Sequence, residues 1–318
     1  MSDKNNMSEE DYLRQHLENI DNSNKAPEPA HIPSDIPFTV NASIQENTKV
    51  SDLQFFNFDI KELPCGQFYP SGTLLMVRPA QVREIQAYSM VDDNNFYDIV
   101  EKMNDMLQAC VRLKYSDGKM GSYMDVKDQD RLFLIFLIRE LSFQQGNSLT
   151  VNTRCSCGTD LNIELKRQNF IFHGIEDRLG KFYNKNTGSY HFTTVNGKTF
   201  ELTPPNIGLQ KAFTDYIVKE NNEKRTPNLA FLKIIPFMLA GRSSITYDGI
   251  KSKLTEFEQM DQVTFQFLNA AVGKMTFGIK ELIKKCECGE EIRTEMQFPN
   301  GASGIFVIHD AFEAYIKE

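Results

Sequence analysis

No stretch of this 318-residue chain holds more than seven consecutive apolar residues, Leu132 to Ile138, far short of the ~18–20 that a membrane-spanning helix needs. The opening residues, MSDKNNMSEEDYLRQ, have neither the basic start nor the apolar middle of a secretory signal. The expected compartment is therefore cytosolic and reducing, where cysteines serve as free thiols or metal ligands rather than disulfides. Positive charge is in deficit. Lys and Arg number 35 against 43 Asp and Glu, a net charge of −8 and a pI near 5.3. A global electrostatic grip on nucleic acid or anionic lipid needs clustered positive charge, so both partners are disfavoured. Tryptophan is absent and histidine occurs five times, never at ligand spacing from another histidine. The phosphate-loop, dinucleotide-binding, H-E-x-x-H and G-x-S-x-G patterns are all missing, which leaves no familiar catalytic motif.

What is present is an ordinary globular composition, 41% hydrophobic and 25% charged, long enough for about two domains. The first 50 residues differ from the rest. They hold most of the excess negative charge and four prolines, Pro27, Pro29, Pro33 and Pro37. Such a segment buries too little apolar surface to offset the entropy of ordering, so 1–50 reads as a flexible acidic tail. Leu13, Leu17 and Ile20 within it sit at helical spacing and form a docking-segment candidate.

An N-terminal α+β domain is expected over 51–145. Phe56, Phe58 and Ile60 alternate as in a half-buried strand. Leu63 to Gly72 is bounded by Pro and Gly and reads as a loop. A strand from Thr73 to Val77 follows. Two helices are expected between Ala80 and Leu113, with Asp92 to Asn95 as the turn. Asp125 to Leu141 reads as a buried helix capped by Asp128 or Asp130, with a buried strand as the competing reading of Leu132 to Ile138. Capping is also preferred to a metal-binding carboxylate pair for those two acids.

Further on, Leu149, Val151 and Thr153 alternate, and so do Leu161, Ile163 and Leu165. Tyr190–Phe192 and Thr199–Leu202 read as a hairpin with an Asn-Gly turn. Three helices should follow: one through Ala212, Phe213, Tyr216 and Ile217, one starting at Thr226-Pro227 and ended by Pro236, and one carrying Phe257, Met260, Val263, Phe267 and Ala271. Ile292, Met296 and Phe298 fall at even spacing. Gly304 to Lys317 reads as a short strand and a short helix.

The chemistry concentrates in two matched tetrapeptides, Cys155-Ser156-Cys157-Gly158 and Cys286-Glu287-Cys288-Gly289. Each Cys-x-Cys-Gly adjoins a strand-like run, and two such knuckles can supply four thiolates to one tetrahedral zinc. Gly permits the tight turn that aims backbone N–H groups at sulfur. Arg154, Lys284 and Lys285 lie beside the cysteines and suit the negative charge of a four-thiolate site. A redox pair and free structural cysteines are the alternatives. Four protein ligands leave no open position, so the metal would be structural Zn2+. Cys65 and Cys110 stand alone among apolar neighbours and read as packing residues. A metal shared by Cys155, Cys157, Cys286 and Cys288 requires a zinc-ribbon-like module whose halves, 146–168 and 279–318, are split by a large inserted hairpin and helical lobe over 169–278. The fold class is then α+β, a mainly helical body with short antiparallel strands.

The order of these features resembles the baseplate hub and tail-assembly proteins of T-even-like contractile-tailed bacteriophages. The resemblance rests on Leu63-Pro64-Cys65-Gly66-Gln67-Phe68-Tyr69-Pro70-Ser71-Gly72, the strand ending at Arg78-Pro79, the apolar helix and the two cysteine knuckles. It covers about 51–165 and 279–308. Two details depart from the family pattern: Cys65 stands where a small polar residue is usual, and each knuckle has one intervening residue where two are commoner. The resemblance implies a non-enzymatic viral protein that acts through contacts with other baseplate and tail proteins, in the host cytoplasm during assembly and then in or apart from the virion baseplate. The alternative is a zinc-ribbon nucleic-acid-binding protein such as a phage regulator. An enzyme whose site assembles only in space, around Cys65, is a third reading.

Overall fold

The computed structural model describes residues 54–143, 149–194, 196–239, 241–295 and 301–306. The acidic tail with Leu13, Leu17 and Ile20, the positions Met296 and Phe298, and the end of the chain from 307 lie outside the described residues. Asp52–Glu318 is one contact unit. Its described part is a mixed α+β fold with eight α-helices and short antiparallel sheets.

Strands β1 (Phe56–Phe58), β2 (Leu74–Val77), β3 (Val111–Lys114) and β4 (Met120–Gly121) form a four-stranded antiparallel sheet in sequence order. Leu75 pairs with Leu113 and Val77 with Val111, so period-2 alternation puts one apolar row on the inner face. Helices α1 (Val82–Ser89) and α2 (Phe96–Cys110) lie between β2 and β3. The Asn95 side chain caps α2 by accepting from the N–H groups of Tyr97 and Asp98. The second helix stops at Cys110, short of the expected Leu113, because Val111 and Leu113 are taken up as the inner row of β3.

Helix α3 (Arg131–Ser142) runs through the centre of the core, with Phe133 to Arg139 all buried. The helix reading of Leu132–Ile138 holds, and it starts later than expected because two 3-10 turns, Tyr123–Asp125 and Asp128–Asp130, precede it. Asp130 occupies the N-cap position but its side chain makes no capping bond. One carboxylate oxygen accepts from the Cys65 N–H at 2.7 Å and the other from the Tyr69 hydroxyl at 2.7 Å. Two charge-satisfying donors from a distant loop outcompete the local cap. Asp128 pairs with Arg131 at 2.5 Å instead of capping. The Leu63–Gly72 loop is thereby tied to the root of the central helix.

Two hairpins carry the cysteines. The first joins β5 (Thr150–Arg154) and β6 (Asp160–Glu164). The second joins β11 (Gly278–Lys285) and β12 (Glu291–Thr294). Strand β7 (Phe170–His173) pairs with the other edge of β11 across a bulge between Ile279 and Glu281. Between the hairpins lie helix α4 (Asp177–Gly180), a three-stranded sheet of β8 (Tyr183–Asn184), β9 (Ser189–Thr193) and β10 (Thr199–Leu202), and helices α5 (Ile207–Asn222), α6 (Leu229–Ile234), α7 (Tyr247–Glu258) and α8 (Gln262–Lys274). Helix α6 begins two residues after the expected start, because the Asn228 side chain accepts from the Phe231 N–H and serves as the cap in place of Thr226. The expected third helix is two, α7 and α8, because Asp261 caps a new helix by accepting from the Thr264 N–H at 2.9 Å. Ser303–Phe306 is a 3-10 turn where a strand was expected.

One apolar cluster runs from Ile60 to Phe306 and draws on the region before, between and after the hairpins. Phe68 of the Pro/Gly-bounded loop packs on Tyr190 of β9 and Phe277 before β11, with ring centroids 5.8 and 4.8 Å apart. Phe133 of α3 packs on Phe172 of β7 at 5.4 Å. Burial of aromatic rings at this density supplies both area and shape specificity.

Candidate metal centre

The two Cys-x-Cys-Gly turns close in the same way. In the first, the Cys155 N–H donates to the Thr159 carbonyl at 2.9 Å and the Gly158 N–H to the Cys155 carbonyl at 2.9 Å. In the second, the Cys286 N–H donates to the Glu290 carbonyl at 2.8 Å and the Gly289 N–H to the Cys286 carbonyl at 2.9 Å. Gly158 and Gly289 sit at φ of +92° and +94°, a left-handed conformation that costs other residues about 1–2 kcal/mol. The correspondence continues along both hairpins at a constant offset of 131 positions: Val151 with Leu282, Arg154 with Lys285, Leu161 with Ile292. Leu161 and Ile292 pack with Cys155 and Cys286 in a small apolar cluster distinct from the main core. The result is a pair of equivalent hairpins set tip against tip over a shared floor.

Four sulfurs meet between those tips. The Sγ atoms of Cys155, Cys157, Cys286 and Cys288 all lie within 4.8 Å of one another. The cross-hairpin separations are 3.6 Å for Cys155–Cys288 and 3.8 Å for Cys157–Cys286. A regular tetrahedron with metal–sulfur bonds of ~2.3 Å has edges of about 3.8 Å, so the spacing fits one enclosed ion. It is far too long for disulfides, whose sulfurs stand ~2.05 Å apart. Cys155 and Cys286 are buried, whereas Cys157 and Cys288 are exposed. One sulfur of each hairpin therefore faces the apolar floor and the other faces solvent.

The local electrostatics favour a thiolate at Cys157. At Cys155 the Cys157 N–H is outweighed by desolvation and the Glu290 carboxylate, which raise the thiol. At Cys288 the Glu290 N–H is outweighed by the neighbouring thiols, Cys286 foremost, and the thiol is raised. Backbone N–H groups point at three of the sulfurs: that of Cys157 at Cys155, that of Thr159 at Cys157 and that of Glu290 at Cys288. Hydrogen bonds to the charged form lower a thiol's pKa. The Thr159 hydroxyl and N–H together bring the Cys157 thiol down to about 6. Arg154, expected from its position to offset negative charge, donates to the Gly158 carbonyl at 3.2 Å and lies 3.5 Å from Asp160. Lys284 donates to the Asn162 carbonyl at 2.7 Å and so ties the second hairpin to the first. Lys285 stands opposite Glu291 in the β11–β12 ladder. The sequence reading missed Glu290. Its carboxylate accepts from the Ser156 hydroxyl and lies 3.2 Å from the Cys155 sulfur, linking the two tips. The only signal for it is its place two residues beyond Cys288, matching Thr159 in the first turn.

The remaining candidates are dispersed. Cys65 and Cys110 are free and fully buried. Burial, with the Asp130 carboxylate beside it, pushes the Cys65 thiol well above its ordinary value, which keeps it protonated. His173 ends β7 and His191 lies in β9, as strand residues. Among the described residues no helix is long and apolar enough to cross a membrane. No protein-family model, curated protein or solved structure matches the chain.

Proposed function

We propose that this chain is a non-enzymatic assembly protein of a contractile phage tail, a baseplate hub or hub-assembly component, whose zinc-ribbon-like module is split by the inserted lobe and closed by one structural zinc. The observation that carries the reading is the convergence of four sulfurs from two hairpins 131 positions apart. Cys155, Cys157, Cys286 and Cys288 fill a tetrahedral shell from protein alone, which suits a structural ion. Zinc would supply folding free energy, since the unfolded chain has no such site. The chain's own residues do the rest: the N–H groups of the turns stabilise thiolates, and Leu161 and Ile292 provide the dry floor.

The setting in a phage baseplate draws on the resemblance of Leu63–Gly72 and the segments that follow it. In this fold that loop is held by Asp130 and packed through Phe68, so it acts as a rigid part of the body. Among the basic residues near the cysteines, Arg293 pairs with Glu281 and Glu291 at 3.1 and 2.7 Å. Glu287 and Glu290 crowd the tips. That pattern favours a protein-facing module over a nucleic-acid reader, which needs unpaired cations. Mass spectrometry of purified virions and of baseplate precursors tests the assignment. Recovery in either supports it. Absence from both, with normal tails when the gene is deleted, contradicts it, as does a salt-sensitive complex with DNA or RNA in a gel shift.

A further inference from the structure

Outside the cysteine centre, one cavity has a volume of about 520 Å³, within the range of small-molecule sites. Its wall combines Tyr69 from the Pro/Gly-bounded loop, Tyr115, Asp125 and Lys127 from the segment before α3, Lys185 from the turn between β8 and β9, and Asn206 from the entry to α5. None of these residues belongs to the two hairpins.

Lys127 is the unusual member. Only 8% of it is exposed. Its ammonium donates to the Pro204 carbonyl at 2.9 Å, and among the described residues it has no carboxylate at ion-pair distance. Burial lowers its pKa. An ammonium can donate three hydrogen bonds, and a buried charge lacking its full complement is costly. Its backbone is held from both sides. The Lys127 N–H donates to the Tyr69 hydroxyl at 2.8 Å, and a β-bridge joins Lys127 to Asn206. Asn206 holds the N-cap position of α5 without capping it, and its side-chain carbonyl oxygen is buried with no partner among the described residues. The cavity thus presents an underused buried donor beside an unused buried acceptor on a fixed backbone. Lys185 adds a second, exposed cation to the wall, and the Asp125 carboxylate adds a second acceptor.

We propose that this cavity binds a small hydroxylated oxyanion, a sugar phosphate or a sugar acid. The anionic oxygens sit on Lys127 and Lys185, and hydroxyl groups donate to Asn206 and Asp125. The anion completes the hydrogen bonding of the Lys127 ammonium, and the hydroxyls satisfy the Asn206 oxygen. A bare anion does only the first of these.

The test is calorimetric titration of the full chain with ribose 5-phosphate, gluconate, inorganic phosphate and an acidic peptide. Lys127→Met, Asn206→Ala and Lys185→Ala variants are compared, with circular dichroism as the check of folding. Binding of ribose 5-phosphate or gluconate, weakened about ten-fold or more by Lys127→Met and about three-fold by Lys185→Ala, supports the proposal. The tighter of the two sugar probes tells phosphate from carboxylate. Lys185 is exposed, so its variant keeps the test decisive should Lys127→Met fail to fold. The proposal is overturned if neither sugar probe binds, if their binding is unchanged in Lys185→Ala and in every folded variant, if inorganic phosphate binds as tightly as ribose 5-phosphate, or if only the peptide binds.

Discussion

Withdrawing the metal should cost the fold a calculable amount. A single ion on Cys155 and Cys286 closes a loop of 131 residues. Treating the clip as a cross-link of that length, the entropy removed from the unfolded chain is worth about 5 kcal/mol at 25 °C. That figure is an upper value, because Val151 and Ile163 of the first hairpin and Leu282 of the second also belong to the main apolar cluster and hold the hairpins without metal. For a body of this size, 1 kcal/mol shifts the melting temperature by about 2–4 °C, so the ceiling is about 10–20 °C. The assay is a thermal melt of zinc-loaded protein, of protein stripped by a chelator, and of a Cys157→Ser/Cys288→Ser double variant in excess zinc. Stripped protein and double variant should melt at a similar, lower temperature, and added zinc should rescue only the former. A Ser156→Ala control leaves all four sulfurs in place and should respond to zinc like the parent. Demonstrably metal-free protein melting within about 2 °C of the loaded form would refute the loop-closure argument.

Other consequences reach beyond the sulfurs. Burial pushes the Asp130 carboxyl up to about 7 against a number of donors that favour its ionised form, among them Tyr69 and the Cys65 N–H. Its raised value means stability is greatest below the unfolded pKa near 4 and declines as pH rises through 7, by up to about 4 kcal/mol. Urea unfolding of Asp130→Asn should lose that decline, and an unchanged pH slope would remove the carboxyl as its source. The Arg78 guanidinium, only 4% exposed, is paired with Glu84 through contacts of 2.7 and 2.9 Å. Glu84→Ala leaves that cation unpaired and should destabilise by about 3–5 kcal/mol in denaturant melts, whereas a loss below 1 kcal/mol would show the pair to be dispensable. Diamide treatment of metal-free protein takes two hydrogens from each thiol pair. The sulfur geometry predicts Cys155–Cys288 and Cys157–Cys286 bridges, read by peptide mass mapping, and bridges within each Cys-x-Cys would contradict it.

The readable parts of this fold are those where local pattern and burial agree. The alternation of Val151 and Thr153 with Leu161 and Ile163 marks the first hairpin because its two faces differ. The all-apolar Leu132–Ile138 marks a buried helix because the core surrounds it. The two Cys-x-Cys-Gly turns were legible as a pair, since both need a left-handed glycine at the same place. The misses arise where a distant partner overrides a local preference. Asp130 looks like a cap, yet Cys65 and Tyr69, more than sixty positions earlier, claim its oxygens. Strand β11 has no clean alternation because a bulge shifts its register between Ile279 and Glu281. Asp261 divides a run of apolar residues that keeps helical spacing through Met260, since a side-chain cap is a local event that periodicity does not see. Lys127 gave no signal, because its burial depends on the Pro204 carbonyl and Tyr69, which only the tertiary fold brings to it.

The most direct test of the central claim is metal content by mass spectrometry on the purified native chain, set beside Cys157→Ser and Cys288→Ser single variants. One zinc per chain, lost in both variants although the two cysteines lie on different hairpins, is the predicted result. No metal in the parent protein, or full retention of the ion in either variant, would contradict a shared four-sulfur centre.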